Sequence, residues 1–183
     1  MAQLTGKKIA LFIEQRFNEH EFIYPYYRLQ EAGAAVIVAG NMAKEHTGEH
    51  GLKAWTEAAF SELDPNRLDG IVIAGGYGPD LMRKNKDCLK LVQALHQQQK
   101  TIAFICHAGW VPISAGILKG KKATSTLSIK DDMLNAGCQW EDNPVVIDGN
   151  LISSRGPHDL PRFAAAVVNA LSGNNAEKQY NVS

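Results

Sequence analysis

The 183-residue chain has only three cysteines, no excess of either charge, and no apolar run long enough to cross a membrane. Each shortage excludes something. Lys+Arg and Asp+Glu both number 19, so there is no basic field to capture a phosphate backbone, and nucleic acid is not the expected partner. Cys88, Cys106 and Cys138 are odd in number, widely spaced and without a CxxC pair. That pattern fits a reduced, cytoplasmic setting better than a disulfide framework. The apolar stretch 9–13 is too short for a signal peptide. What remains is ordinary globular composition, with 45% hydrophobic and 21% charged residues. One domain over residues 1–172 is expected, with residues 173–183 as a loose tail lacking any apolar period.

The apolar pattern alternates. Residues 8–13, 34–39, 70–74 and 101–105 are continuous apolar runs, as in strands covered on both faces. Between them, residues 19–32 read as a helix ended by Gly33. Residues 86–99 read as a helix with Leu89, Val92 and Leu95 on one face. Further helices are expected at 110–118, 128–136 (ended by Gly137) and 159–171. Asp148-Gly149-Asn150 between residues 145–147 and 151–154 is a hairpin signal. Strands alternating with helices predict an α/β fold, a doubly wound and mostly parallel sandwich. Sites in such sheets gather at the carboxyl ends of the strands. The segment after Ile13, the turn Ala74-Gly75-Gly76 and the pentapeptide Ile105-Cys106-His107-Ala108-Gly109 all lie there.

The pentapeptide carries the strongest chemical signal. A cysteine between a buried strand and a helix forms a nucleophile elbow, and a helix N-terminus favours thiolate. Small residues after it permit the tight turn. The N–H groups of Gly75, Gly76 and His107 are suited to an oxyanion hole facing the sulfur. Cys88 and Cys138 have no acid-base partner nearby in sequence and read as buried hydrophobes. His46 and His50 have helical metal-pair spacing beside Glu45 and Glu49, but Gly48 and Gly51 oppose a helix, and HTGEH is not the HExxH order of zinc hydrolases. No metal is expected there. His158 stands as a conceivable late partner for Cys106.

Six blocks in order resemble the PfpI group of the ThiJ/PfpI superfamily, whose members are called intracellular proteases, glyoxalases or protein deglycases. They are Asn18-Glu-His-Glu-Phe-Ile-Tyr-Pro25, Ile73-Ala-Gly-Gly-Tyr-Gly-Pro-Asp80, Ile105-Cys-His107, Ser114-Ala-Gly-Ile-Leu-Lys-Gly120, Ile129-Lys-Asp-Asp-Met-Leu-Asn-Ala-Gly137 and Ser154-Arg-Gly-Pro157. The resemblance implies a flavodoxin-like sandwich and a homo-oligomer, a dimer or a hexamer. It implies Cys106 as nucleophile, His107 beside it, Glu21 as the carboxylic acid at the sulfur, and Asp80 as an acid reaching His107 from a neighbouring subunit. Glu21 is separated from Glu19 by this resemblance alone. Three positions depart from the pattern. Asn18 stands at a frequent second carboxylate and is retained as a substrate-binding candidate. Ala108-Gly109 replaces Gly-Pro, and Thr126 occupies the place of a tyrosine.

Three functions follow as expectations. The first is cofactor-independent chemistry on reactive aldehydes or their protein adducts, of glyoxalase or deglycase type. The second is a cysteine peptidase with Cys106, His107 and Asp80 assembled across subunits. The third is an oxidation sensor or stress chaperone built on Cys106.

Overall fold

A computed structural model describes residues 2–173, so all of the expected tail beyond Gly173 lies outside the described residues. In chain order the elements are β1 (Lys8–Phe12), α1 (Glu19–Glu31), β2 (Ala35–Gly40), β3 (Glu45–Thr47), β4 (Lys53–Trp55), β5 (Ala58–Ala59), β6 (Gly70–Ile73), α2 (Gly78–Met82), α3 (Lys86–Gln97), β7 (Thr101–Ile105), α4 (Trp110–Ser114), β8 (Lys122–Ala123), α5 (Lys130–Asn135), β9 (Gln139–Trp140), β10 (Val145–Asp148), β11 (Leu151–Ser154) and α6 (Leu160–Leu171).

Seven strands form one sheet in the order β10-β11-β7-β6-β1-β2-β5. All neighbours run parallel except β10, which returns antiparallel to β11 through the expected hairpin. The apolar strands are continuous because both faces are covered. On one face Ala10, Phe12, Ile71, Ile73, Ile102 and Phe104 pack with Leu91, Val92 and Leu95 of α3. The alternate residues Ile9, Leu11, Val72, Ala103 and Ile105 meet Leu29 of α1 and Phe163 and Val167 of α6. The mostly parallel, doubly wound flavodoxin-like sandwich is therefore the fold. After β1 the chain builds β2 on one side, then crosses to place β6 on the other. Loops leaving β1 and β6 diverge at that switch point and leave a crevice at the strands' carboxyl ends.

The differences from the sequence reading are local. The helix expected over 110–118 stops at Ser114, because Gly116 takes φ +71° and closes the end with N–H bonds from Gly116 to Ile113 O and from Ile117 to Pro112 O. Residues 127–129 form a 3-10 turn, so the next helix is short and starts at Lys130. The β3–β4 hairpin and the β8–β9 pair carry too few residues for a readable period.

The hairpin is anchored by a buried pair. Glu14, just past β1, is 2% exposed, and its Oε1 lies 2.8 Å from Nδ1 of the fully buried His46 on β3. Glu14 also accepts the N–H groups of Gln15 and Asn41, both at 3.0 Å. Burial alone would raise its carboxyl, but His46 and those two N–H groups together hold it below the usual 4.5. Glu14→Ala strips three donors of their acceptor at once and is expected to cost about 3–5 kcal/mol at neutral pH. A carboxyl depressed in the folded state contributes stability above its unfolded pKa and loses it as pH falls through the folded one. Urea midpoints of wild type and variant should therefore converge in acid. A constant gap at every pH would contradict this.

Candidate active site

Cys106 follows β7 directly and opens a four-residue 3-10 turn. Its φ is +61°, in the left-handed region that a cysteine occupies only when its surroundings hold it there. The turn aims the sulfur into the crevice between the β1 and β6 loops. Nδ1 of His107 stands 3.3 Å from Sγ, and Nε2 of the same ring lies 3.1 Å from Ser128 Oγ. With Ser128 Oγ accepting the Nε2 proton, Nδ1 is left as an acceptor facing the thiol. Burial lowers the His107 pKa, so the ring is neutral near pH 7. The backbone N–H groups of His107 and Gly76 also address the sulfur.

Glu21 reaches the same point from α1. Asn18 caps that helix, its Oδ1 accepting the Glu21 N–H at 3.3 Å. Its own N–H donates to Gly75 O, tying the helix start to the β6 loop. The Glu21 carboxyl is 0% exposed. Its Oε2 accepts the Gly75 N–H at 2.8 Å, and its Oε1 has no hydrogen-bond partner among the described residues. Burial pushes the carboxyl up to about 7, against the opposing pull of the Gly75 N–H and Cys106. Gly75 has no room for a side chain, since a Cβ there would lie 2.9 Å from both Cys106 Cβ and Ile105 O.

Two expectations change here. The Gly75 N–H is taken by Glu21 and is not free for an oxyanion. The surroundings of the sulfur also oppose the expected thiolate. Burial first, then the charge of Glu21, push the Cys106 thiol up to about 12, while the N–H groups of His107 and Gly76 only partly oppose this. The helix dipole is too small to prevail, because α4 has five residues and is separated from Cys106 by the 3-10 turn. Above about pH 7 the resting pair is thus a carboxylate beside a thiol.

The remaining candidates are placed as follows. Asp80 lies on α2, pairs with Lys84 at 3.1 Å, and touches no His107 atom among the described residues. Tyr77 instead stacks on His107, with ring centroids 6.2 Å apart. The His158 ring sits beside Asp159 at 3.3 Å and makes no contact with Cys106 among the described residues. Cys88 and Cys138 are buried, and burial pushes their thiols up to about 12 and 11. Asn18 spends its side chain on the helix cap and, through Nδ2, on Glu49 Oε2 at 3.1 Å. In the sequence Glu49 stands out only beside the discounted His46/His50 metal pair, and Ser128 only as the start of an expected helix. They arrive from the hairpin loop and from a 3-10 turn that no periodicity marks.

One group of potential metal donors does form at the rim. Ligand atoms of Glu19, Glu49 and His50 lie within 4.8 Å of one another. Each is already met from within the chain: Glu19 accepts the His50 N–H at 2.5 Å and faces His50 Nδ1 at 3.0 Å, and Glu49 accepts from Asn18.

Glu21 leaves a thermodynamic signature. A carboxyl whose folded pKa exceeds its unfolded one favours folding most in acid, and that contribution is lost as pH rises toward the folded value. Between the ordinary 4.5 and about 7, wild type should lose on the order of 3 kcal/mol relative to Glu21→Gln. Denaturation of both proteins from pH 4 to 8 measures it. Parallel stability curves would contradict the buried, proton-holding carboxyl.

The profile of the DJ-1/PfpI family matches residues 7–170. Among curated proteins, "Deglycase TK1284" of Thermococcus kodakarensis is 41% identical over 164 residues, covering 90% of this chain and 99% of that protein. "Deglycase PfpI" of Pyrococcus furiosus is also 41% identical over the same coverage. Among solved structures, a two-domain protein of Anabaena variabilis with dj-1/thij/pfpi-like and ferritin-like domains superposes with a TM-score of 0.90 at 38% identity. That match covers 96% of this chain and 52% of the longer Anabaena chain. With the profile spanning nearly the whole described chain, this protein belongs to the DJ-1/PfpI family.

Proposed function

We propose that the chain is a cysteine enzyme acting on reactive carbonyl compounds, α-oxoaldehydes and their early adducts on amines and thiols, as in the deglycases it resembles. The observation that carries the reading is the pairing of Cys106 with a buried carboxyl poised near neutrality. A general base is most effective when its pKa lies near the working pH.

The chemistry needs only groups in the crevice. The ionised Glu21 takes the proton of the Cys106 thiol as sulfur attacks the aldehyde carbon, giving a hemithioacetal. The developing oxygen anion faces the N–H groups of Gly76 and His107 and takes up the proton from Glu21. With methylglyoxal, the regenerated carboxylate removes the hydrogen from the former aldehyde carbon as a proton and returns it to the adjacent carbonyl carbon, while the hemithioacetal hydroxyl proton passes to the neighbouring oxygen. The first carbon is oxidised and the second reduced, with no external electron carrier. The resulting lactyl thioester is hydrolysed by water to lactate and free thiol. With an amine adduct, sulfur displaces the amine at the hemiaminal carbon, the amine leaves with the proton that Glu21 took from the thiol, and the same hemithioacetal results. His107, neutral and 3.3 Å from Sγ, supplies a second acceptor for the thiol proton.

The peptidase reading needs Asp80 of another subunit, and in this chain Asp80 is occupied by Lys84. The sensor reading needs a ready thiolate, which the burial of Cys106 opposes. Carbonyl chemistry makes neither demand.

Lactate formation from methylglyoxal tests the proposal. Cys106→Ser should fall to background, and Glu21→Gln should lose about 10²–10⁴-fold in kcat/KM. The wild-type profile should rise with pH and level off above about 7, as the Glu21 carboxylate becomes available. Turnover by Cys106→Ser at the wild-type rate would overturn the reading.

A further inference from the structure

The mouth above Cys106 is framed by a continuous cation–aromatic stack. The Arg16 guanidinium carbon stands 4.4 Å from the Tyr77 ring centroid. Tyr77 stacks on His107, and the Trp110 ring, tilted, has its centroid 5.2 Å from that of His107. The Arg83 guanidinium carbon lies 5.6 Å from the Trp110 ring. The imidazole in contact with the sulfur thus has two aromatic neighbours, each carrying an arginine.

The arginines are held in place. Arg16 takes φ +62°, a left-handed conformation unusual for a residue with a long side chain. Its N–H donates to Thr47 O and its carbonyl accepts the Tyr77 N–H, both at 2.8 Å. Those two bonds clamp the residue between the β3–β4 hairpin and the β6 loop. Arg83 caps α2 and donates through Nε to Ser114 Oγ at 2.9 Å, which leaves its outer nitrogens for other acceptors.

Among the described residues, these two guanidinium groups are not paired with carboxylates. Glu14 is met by His46, Glu19 by His50 and Asp80 by Lys84, whereas Glu49 and Asp132 accept from the neutral Asn18 amide and Trp110 indole and keep their charge. Glu21 is buried on the Gly75 N–H. Among the described residues, the ion pairs made by arginine belong to Arg28 and Arg155. His107 is neutral because burial lowers its pKa. Arg16 and Arg83 are thus cations with no carboxylate partner among the described residues, each resting on an aromatic face in a geometry that favours a planar cation.

We propose that Arg16 and Arg83 form an anion-recognising rim, and that the preferred substrates are carbonyl compounds bearing a carboxylate or phosphate. The substrate class rests on the carbonyl chemistry proposed above, while the anion preference of the mouth rests on the geometry alone.

The two parts can be tested separately. Iodoacetate and iodoacetamide alkylate the same sulfur and differ mainly in charge, so the ratio of their rates cancels the fraction of thiolate. With Cys106 followed by mass spectrometry, that ratio should exceed the ratio for a neutral cysteine peptide about threefold or more at low salt, and fall in high salt. Arg16→Gln/Arg83→Gln should bring it to the peptide value, and Arg16→Lys/Arg83→Lys should keep most of the excess. A wild-type ratio equal to that of the peptide, or a glutamine variant that retains the excess while melting cooperatively, would overturn the rim. For the substrate class, hydroxypyruvaldehyde phosphate should show a KM about tenfold below that of hydroxypyruvaldehyde in wild type, with the difference removed in the glutamine variant. Equal KM values would overturn the anionic class. Absence of turnover with either compound would overturn the carbonyl chemistry instead, and the alkylation ratio would still decide the rim.

Discussion

A carboxyl group taken wholly out of water needs a partner for each oxygen, and Glu21 has one. Its Oε2 is met by the Gly75 N–H, while Oε1 is buried with no hydrogen-bond partner among the described residues. Much of the local architecture serves that arrangement. Asn18 must start α1 where Glu21 falls at the third helical position. Residue 75 must lack a side chain, and residue 76 must turn with φ +77°. The divergence of the β1 and β6 loops at the switch point lets a helix residue and a loop N–H meet over the end of β7. Removing the carboxyl from water costs stability at neutral pH, and the two apolar layers around the sheet offset it.

The same crevice holds backbone strain. Besides Gln99, the non-glycine residues with positive φ are Arg16 and Cys106, which bracket the crevice from two sides. Such conformations cost on the order of 1–3 kcal/mol each and persist where neighbouring contacts over-determine them. At Arg16 those contacts are backbone bonds to Thr47 and Tyr77. At Cys106 the parallel pairing of β7 with β6 and β11 fixes the strand up to the turn. The backbones of Cys106 and Arg16 are thus held by main-chain pairing on both sides of the crevice.

Much of this was legible in the chain. Residues 8–13 and 101–105 read as strands because burial on both faces makes them continuously apolar. The ends of α1 and of the helix before β9 were legible because Gly33 and Gly137 adopt the left-handed conformation their positions demand. Cys106 stood out through its turn. What stayed hidden depends on contacts distant in sequence. Glu19 and Glu21 look alike on paper, yet two residues apart on a helix they face different neighbours: one meets His50 from the hairpin, the other the N–H of Gly75. The hairpin itself has strands of three residues, too short to show alternation. A dipole argument from sequence sees the turn but neither the burial of the sulfur nor the carboxylate beside it, which together push the thiol up.

The central claim is that Glu21 holds its proton up to neutrality because it is buried beside Cys106. Infrared difference spectra over pH 4 to 9, comparing wild type with Glu21→Gln, observe that proton directly through the C=O stretch of a protonated carboxyl. The account predicts a band present in wild type, absent from the variant, and titrating away with a midpoint of about 7. A wild-type band that vanishes with the ordinary carboxylates, in the range of surface Asp and Glu, would contradict it.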